Sequence, residues 1–456
     1  MSSVRVALVA GFFIAGCTMR TPPAPDVIVE EALPPTTEVP AEWTEPADDN
    51  GRVDDGWIES FGEPELEALV AEAVSLNNPN MRLAAARIDR AAAAARLAGS
   101  ALKPTVALGA DLLGTAGNEA VADRSAAVGL GVSWEPDVWG RVRAGASAAD
   151  ENLRATRVDF EYARQSLAAQ VAKTWFLATE LELQVALGEE TVDILRQLVG
   201  LVETKQDVGQ VSMQDVHLAR ADLASAEEAL GQAIGGKKEV QRGLELLLGR
   251  YPAAEVETAD ELVPVPPPIP VGLPADIIQR RPDLVAAELR VAAAFFLTEQ
   301  ARLARLPSFS LTAGVGGSSA LGDVIVDLGA GMVAPIFTGG ALGAQVDSAT
   351  ADQEAAIAAY GMSLLRAFEE VETALTNEKL FAEREAYLNT VVDENEEALK
   401  LAEVRYEVGQ IDLLSILQIQ TKWIGARIGL LRIQNDRLAQ RVNLHLALGG
   451  SFERNR

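Results

Sequence analysis

Two uninterrupted helical stretches dominate the pattern of hydrophobic and polar positions along this chain. They run from Arg141 to Asp207 and from Ala341 to Glu407, and neither contains a proline. At 1.5 Å per residue, each stretch of about 67 residues would form a helix about 100 Å long. Helices in ordinary compact domains average about 11 residues. The pattern therefore favours a coiled coil or an elongated helical barrel over a globular enzyme.

Four shorter segments alternate apolar with small or polar residues, which is the period expected of β-strands. Their apolar positions are Val106, Leu108, Ala110, Leu112; Val128, Leu130, Val132, Trp134; Phe309, Leu311, Ala313, Val315; and Val324, Val326, Leu328, Ala330, Met332. Such segments are long enough to be tilted transmembrane strands, and a soluble pair of hairpins is the alternative. Four strands cannot close a barrel, and open sheet edges are not tolerated in lipid. Insertion would therefore require several copies to share one barrel.

The chain contains an internal duplication. Val208-Gly209-Gln210 falls on Val408-Gly409-Gln410 at an offset of about 200 residues, and earlier positions match at an offset of about 203. The earlier matches are Pro79, Arg87, Pro104 and Leu108 with Pro282, Arg290, Pro307 and Leu311. We therefore expect each half to contain the same elements in the same order: a helix, two strands, a long helix and a final helix.

This duplication predicts a mainly α protein with a small β part. The predicted organisation is a signal peptide over 1–16, a tether over 17–55, repeats over 56–261 and 275–450, a Pro-rich linker over 262–274 and a tail over 451–456. In the first repeat, strands are expected within 104–134, the long helix over 141–207 and the last helix over 212–248. The corresponding elements of the second repeat are 307–337, 341–407 and 412–448. The tether is expected to be extended because it is rich in Pro, Thr and Glu.

The N-terminus resembles a bacterial lipoprotein leader. Arg5 precedes a short apolar run that is too short to cross a membrane, as in a signal peptide. The run ends in Ile14-Ala15-Gly16-Cys17, which resembles a lipobox, and Cys17 is the only cysteine of the chain. We expect Cys17 to be acylated and to become the first residue of the mature protein. A plain secretory leader is the alternative.

Composition narrows the possible functions. The chain has 39 basic and 66 acidic residues and a net charge of −27, so nucleic acid is not an expected partner. An acidic pore for cationic solutes and a solvated acidic surface both fit this charge. We find no nucleophile elbow, phosphate-binding loop or zinc-protease motif, so the sequence predicts no enzyme, cofactor or metal site.

Four stretches make the chain similar to the TolC family of outer-membrane efflux ducts, in the lipoprotein branch typified by OprM and NodT. They are Trp134–Arg141, Gly272–Asp283, Pro335–Gly340 and Arg405–Gly409. The resemblance implies a homotrimer in which a twelve-stranded transmembrane β-barrel continues into a periplasmic helical α-barrel. It further implies an outer-membrane lipid environment and docking to a periplasmic adaptor protein and an inner-membrane pump.

The resemblance also assigns roles at the two helix turns, which would form the periplasmic end of the duct. Asp215 corresponds to an aspartate clasp, and Tyr406 to its tyrosine partner. Gly209 and Gly409 would make the turns and, with Arg405, would contact the adaptor. The arginine that some members carry past the turn is Ile411 here, and Ser415 and Gln418 replace acidic residues of the second hairpin. The alternative for Asp215 is a solvated acid at a helix start, which the helix dipole favours.

These observations favour an outer-membrane duct that exports small molecules passively. A protein-secretion duct of the same architecture is one alternative. A periplasmic coiled-coil scaffold lipoprotein that transports nothing is the other.

Overall fold

The computed structural model describes residues 19–37, 39–45, 51, 53–114, 124–318 and 324–454. The predicted signal peptide and Cys17 lie outside these residues, as does the end of the predicted tail. The helices of the first half are α1 (Pro25–Ala32), α2 (Pro64–Ala73), α3 (Pro79–Ser100), α4 (Arg141–Asp207) and α5 (Met213–Leu248). Those of the second half are α6 (Asp276–Arg280), α7 (Pro282–Leu303), α8 (Ala341–Glu407) and α9 (Leu413–Ala447). The strands are β1 (Thr105–Gly114), β2 (Arg124–Trp134), β3 (Ser308–Ser318) and β4 (Val324–Val333).

The two long helices have equal lengths. α4 and α8 each contain 67 residues, and the helices that precede them in the two halves, α3 and α7, each contain 22. Proline begins both α3 and α7, which suits the first helical position because its missing N–H has no helical acceptor there. Pro104 and Pro307 follow the ends of α3 and α7, and the residue before each of them, Lys103 or Leu306, lies outside the helix. A proline disfavours helical backbone at the residue that precedes it.

The four strands form one antiparallel sheet in the order β1-β2-β3-β4. Its register aligns the predicted apolar positions across all four strands: Leu108 pairs with Leu130, Leu130 with Val315, and Val315 with Val326. On the other face, Thr105 pairs with Ser133, Ser133 with Thr312, and Thr312 with Gly329. The sheet therefore has one apolar and one small, polar face. The apolar face is exposed, and Leu112 and Leu328 are 87% and 84% accessible.

The compact units of the chain do not coincide with its repeats. One unit takes the described residues before position 38, Ala85–Phe160 and Asp283–Leu364; the other takes Val39–Ala84, Glu161–Pro282 and Leu365–Arg456. Each unit thus contains segments of both halves. The reason is that α4 and α8 are each too long for one compact unit and continue from the first unit into the second.

The prediction of an extended tether over residues 17–55 is wrong for much of its described part. Pro25–Ala32 is helical, begins with a proline and has Ile28 buried. Further along, the indole of Trp43 is buried and donates a hydrogen bond to the carbonyl of Gly272. A composition rich in proline and threonine predicts low helix propensity, but burial of these apolar side chains overrides it.

The linker between the repeats is fastened to α9. Arg441, which is buried, donates a hydrogen bond to the carbonyl of Pro266 at 2.5 Å and another to the carbonyl of Pro267. It also forms an ion pair with Glu378 of α8. Prolines have no N–H to donate but keep their carbonyl acceptors, and a buried guanidinium satisfies several of these at once.

Within the described residues, no helix is both long and apolar enough to cross a membrane.

Candidate functional site at the helix turns

The two turns that follow the long helices have the same geometry. Gly209 and Gly409 adopt left-handed backbone conformations with φ of 76° and 75°. In the first turn Gly209 N–H donates to the carbonyl of Gln206 and Gln210 N–H to that of Lys205; in the second, Gly409 and Gln410 donate to Tyr406 and Arg405. This is the Schellman pattern of helix termination, which favours glycine because it has no Cβ to clash.

The helix after each turn begins with a side-chain cap. A serine and an aspartate, three residues apart, form this cap in both repeats, but their order along the chain is reversed. In the first repeat the hydroxyl of Ser212 accepts a hydrogen bond from Asp215 N–H, and Oδ2 of Asp215 accepts one from Ser212 N–H at 2.9 Å. In the second repeat Asp412 is the cap and accepts from Ser415 N–H at 2.9 Å. The hydroxyl and then the N–H of Ser415 hold the pKa of Asp412 below its ordinary value. Caps of this kind stabilise a helix because they bind N–H groups that have no acceptor within its first turn.

Asp215 therefore has the structural role that the alternative interpretation gave it, as an acid in the first turn of α5. Its role as a clasp stays a prediction. Tyr406 lies nearby: burial first, and then the negative charge of Asp215, raise the pKa of Tyr406. The phenol oxygen of Tyr406 is buried and has no hydrogen-bond partner among the described residues. The structure thus brings Asp215 and Tyr406 to the same end of the second unit without a direct hydrogen bond between them.

The partner of Tyr406 within the chain is a residue that the sequence analysis missed. The ammonium of Lys205 donates to the backbone carbonyl of Tyr406 at 2.9 Å and lies 4.3 Å from the centre of the Tyr406 ring. Such a cation–π contact contributes about 1 kcal/mol. Lys205 occupies the position that Arg405 occupies in the other repeat, so overlaying the repeats could have identified it. Arg405 itself is exposed.

A buried apolar cluster holds the two turns together beneath these polar contacts. Tyr406, Val202 and Val216 are buried there, 4%, 0% and 3% exposed, with Leu413 and Leu417 of α9. Burying side chains of this size stabilises a fold by about 1.5–3 kcal/mol each. The turns are consequently fixed to each other by packing, and Lys205 and Tyr406 are placed by the helices beneath them.

The described residues offer no group of three or more metal-ligating side chains. Of the two histidines, His217 is exposed, whereas His445 is buried in α9 and its ring is stacked on that of Trp57, with centroids 5.8 Å apart.

The known proteins that this chain is similar to are outer-membrane efflux and export proteins. The family model for outer membrane efflux proteins matches residues 70–250 and 273–450, once in each repeat. The pyoverdine export outer membrane protein OpmQ of Pseudomonas putida is 31% identical over 445 residues, covering 92% of this chain and 94% of that protein. The toluene efflux pump outer membrane protein TtgC of the same species is 30% identical over 473 residues, with coverages of 97% and 94%.

Solved structures of outer-membrane channels share the fold. The channel OprN superimposes with a TM-score of 0.82 at 25% identity, covering 92% of this chain and 99% of that one. The open state of the MtrE channel of Neisseria gonorrhoeae gives 0.80 at 25% identity, with coverages of 96% and 99%.

This chain belongs to the outer membrane efflux protein family. It is an outer-membrane duct of the kind that serves tripartite efflux systems, it extends into the periplasm, and it is not an enzyme. The predicted family, the mainly helical fold with four strands and the outer-membrane location are therefore confirmed. The alternative of a scaffold that transports nothing is not supported.

Proposed function

We propose that three copies of this chain assemble into one duct, in which their sheets join as a twelve-stranded transmembrane barrel and their helices form a periplasmic α-barrel. The supporting observation is the sheet: it has two unpaired edges, β1 and β4, and an apolar face that is exposed in the single chain. Unpaired edges are not tolerated in hydrocarbon, and pairing β4 of each copy with β1 of the next removes them.

The test is the oligomeric state of the protein in its membrane. We expect the protein to fractionate with the outer membrane and to migrate on gels as an oligomer that heating converts to monomer. Chemical cross-linking should saturate at three copies. A monomer that is extracted without detergent would contradict the proposal.

We propose further that the duct exports small organic molecules delivered by a periplasmic adaptor and an inner-membrane pump. OpmQ is named for pyoverdine export and TtgC for toluene efflux, and both match almost the whole chain. Gly209, Gly409 and Arg405 are the proposed adaptor contacts because the turns expose backbone and charge at the periplasmic end. Deleting the gene should increase sensitivity to toxic compounds. Unchanged sensitivity together with loss of a secreted protein would favour the protein-secretion alternative.

For the gate, we propose that Asp215 and Tyr406 hold the periplasmic end closed through contacts with a neighbouring copy. Among the described contacts, the cap uses only Oδ2 of Asp215, which leaves Oδ1 for a donor from another chain. Within the described part of the chain the buried phenol of Tyr406 has no hydrogen-bond partner, and leaving a buried group of this kind unpaired costs about 1–3 kcal/mol. A partner from another copy would remove that cost in the closed state.

We also propose that Cys17 carries the lipid anchor. Labelling with a palmitate analogue should mark the native protein and fail to mark the Cys17→Ser variant. Equal labelling of both would place the acyl group elsewhere.

A further inference from the structure

A cavity lies between three helices of the second unit, where one face each of α4, α5 and α9 meet. Its volume is about 650 Å³, which is within the range of about 300–1,000 Å³ that small-molecule sites occupy. All of its lining residues belong to the second unit. They include neither Asp215, Tyr406 nor Lys205, so the cavity is separate from the site at the turns. The inference below does not depend on the proposed function.

The cavity exists because α5 contributes small side chains where its neighbours contribute large ones. Ala226, Ala229 and Ala233 line it from one face of α5, at the three- and four-residue spacing of a helix. The other walls carry larger apolar side chains, such as Leu195 of α4 and Ile424 of α9. Alanine side chains are too short to fill the space between helices that pack about 8–10 Å apart. The walls therefore suit the apolar body of a ligand.

A hydrogen-bond donor and a carboxylate line the cavity without partners in the described part of the chain. Gln420 is 3% exposed, and its side-chain nitrogen Nε2 has no acceptor there. Asp222 forms no ion pair with any described residue. Burial raises the pKa of the Asp222 carboxyl, as expected for a carboxylate that no nearby cation stabilises.

The register of the helices places these two groups at the same end of the cavity. It is set by two ion pairs that α4 makes with its neighbours, Glu190–Arg427 with α9 and Arg196–Glu227 with α5. Gln420 lies seven residues before the α9 member, and Asp222 lies five residues before the α5 member. The two side chains are therefore about 6 Å apart along the axis of α4. This separation is within the length of one small molecule.

The arginine that lines the cavity has partners of its own. Arg432 lies twelve residues beyond Gln420 on α9, which is about 18 Å along the helix. It is exposed, and its charge acts on the nearby carboxylates of Glu180 and Asp436. The charge that a ligand would meet beside Gln420 is therefore the negative charge of Asp222.

We propose that this cavity binds organic cations that combine an apolar body with an oxygen acceptor. The positive charge lies beside Asp222, the oxygen accepts a hydrogen bond from Gln420, and the apolar body lies against the alanines of α5. Such a ligand contacts α4, α5 and α9 at once and stabilises their packing.

Photolabelling of the full-length protein in outer membranes tests the site with a defined probe, a medium-chain acylcholine that carries a diazirine. This molecule has the three features that the cavity requires. After irradiation, mass spectrometry of protease fragments should place the label within residues 222–236 and 417–432. Unlabelled acylcholine should compete. The ester of the uncharged alcohol, in which carbon replaces the ammonium nitrogen, should compete about fivefold less well, because it cannot pair with Asp222.

Removal of the carboxylate charge tests the role of Asp222. Asp222→Asn should weaken labelling about fivefold and abolish the preference for the cation over the uncharged ester. Glu239→Gln is the matched control, because Glu239 is exposed on α5 and does not line the cavity. It should leave both the labelling and the preference unchanged.

Filling the cavity tests its shape. Ala229→Leu should abolish labelling of these fragments because the added side chain occupies the space. Ala224→Leu, at an exposed position of α5 outside the cavity, should not. Both changes keep a strong helix former, and unchanged helical circular dichroism would confirm folding.

Two results would overturn the proposal. One is a label that spreads over many fragments and responds to none of the variants, since the probe would then only partition into lipid. The other is an unlabelled native protein whose oligomer dissociates at a lower temperature in Ala229→Leu, since a neighbouring copy would then fill the cavity. Neither result would contradict the proposed duct, which the oligomeric state tests separately.

Discussion

Individual residues at the turns have structural roles that can be separated from functional ones. Asp215 completes a helix cap with one carboxylate oxygen. The ammonium of Lys205 contacts both the backbone carbonyl and the ring of Tyr406. Each of these contacts lies within one chain. The phenol of Tyr406 makes no such contact among the described residues, so a substitution that removes only this oxygen can isolate its contribution to the closed state.

We expect Tyr406→Phe to raise the conductance of the closed duct in planar bilayers, because the ring keeps its packing while the hydroxyl can no longer bind a neighbouring copy. Tyr360→Phe is the matched control, since the Tyr360 hydroxyl is also buried without a partner in the described structure. Asp215→Ala should raise conductance as well if the clasp exists. Wild-type conductance in both Tyr406→Phe and Asp215→Ala would remove this pair from the gate.

His445 makes stability depend on pH. Burial, and then the positive charge of Arg441, lower the pKa of His445 to about 3, whereas histidine in an unfolded chain titrates near about 6.5. Below the unfolded pKa the unfolded state binds the extra proton, so the stability that neutral His445 contributes is lost as the pH falls from about 6.5 towards 3. At pH 5 the loss is about 2 kcal/mol.

His445→Phe should remove this dependence and keep the stacking on Trp57. The measurement is the unfolding midpoint in detergent, followed by helical circular dichroism at about pH 5 and about pH 7.5. We expect the difference between the two pH values to be smaller in His445→Phe than in the native chain. An identical difference would mean that other groups cause the acid sensitivity.

At the scale of elements, the turns and the helices contribute differently to stability. Gly209 and Gly409 are needed because their backbone is left-handed, and a Cβ there would meet no other atom within 4 Å. The requirement is thus for backbone conformation alone. A glycine within a helix has the opposite effect, because there its flexibility destabilises the folded state.

Gly409→Ala should destabilise the second turn by about 1–2 kcal/mol, the cost of a left-handed conformation for an L-residue. Faster hydrogen exchange of the Gln410 amide would report it. The control is Gly425→Ala within α9, where a Cβ also meets no neighbour and helix propensity predicts a gain of up to about 1 kcal/mol. If both variants behaved alike, the conformational argument would be wrong.

At the scale of the whole molecule, the two repeats depend on contacts that are distant in sequence. Lys205 and Tyr406 are separated by 201 positions, and Arg441 reaches the linker carbonyl of Pro266 over a separation of 175. The linker is therefore part of the packed structure of the second unit, and its residues Pro266 and Pro267 are held by the buried guanidinium of Arg441.

We expect Arg441→Met to expose the linker. The substitution leaves the carbonyls of Pro266 and Pro267 and the carboxylate of Glu378 without their cation, which should lower stability by about 3 kcal/mol. Subtilisin should cleave the variant faster within residues 262–270. The control is Arg427→Met, on the same helix as Arg441, which removes an exposed ion pair with Glu190 of α4. It should cost less than about 1 kcal/mol and leave cleavage unchanged. Equal cleavage of both variants would contradict the role of Arg441.

Much of the local structure could be predicted because its signals are short-range. The predicted bounds of α4 and α8 match the structure, and the alternation in the strands identified the face that all four share. The turns at Gly209 and Gly409 and the place of Asp215 at the start of a helix could also be identified, because helix ends depend on three or four adjacent residues. The capping box that Asp215 forms with Ser212 came from the structure. The clasp roles of Asp215 and Tyr406 come from a family resemblance and stay predictions.

The sequence by itself determined the two long helices, the four strands and the repeat, since helix and strand periods are set by which positions of a short segment face the same way. Only the tertiary structure decided that Lys205 meets Tyr406, that His445 is buried, that residues near Trp43 pack instead of forming a tether, and that each compact unit draws on both repeats. These contacts join residues that are far apart in the chain. They depend on how whole helices pack, which no local pattern specifies.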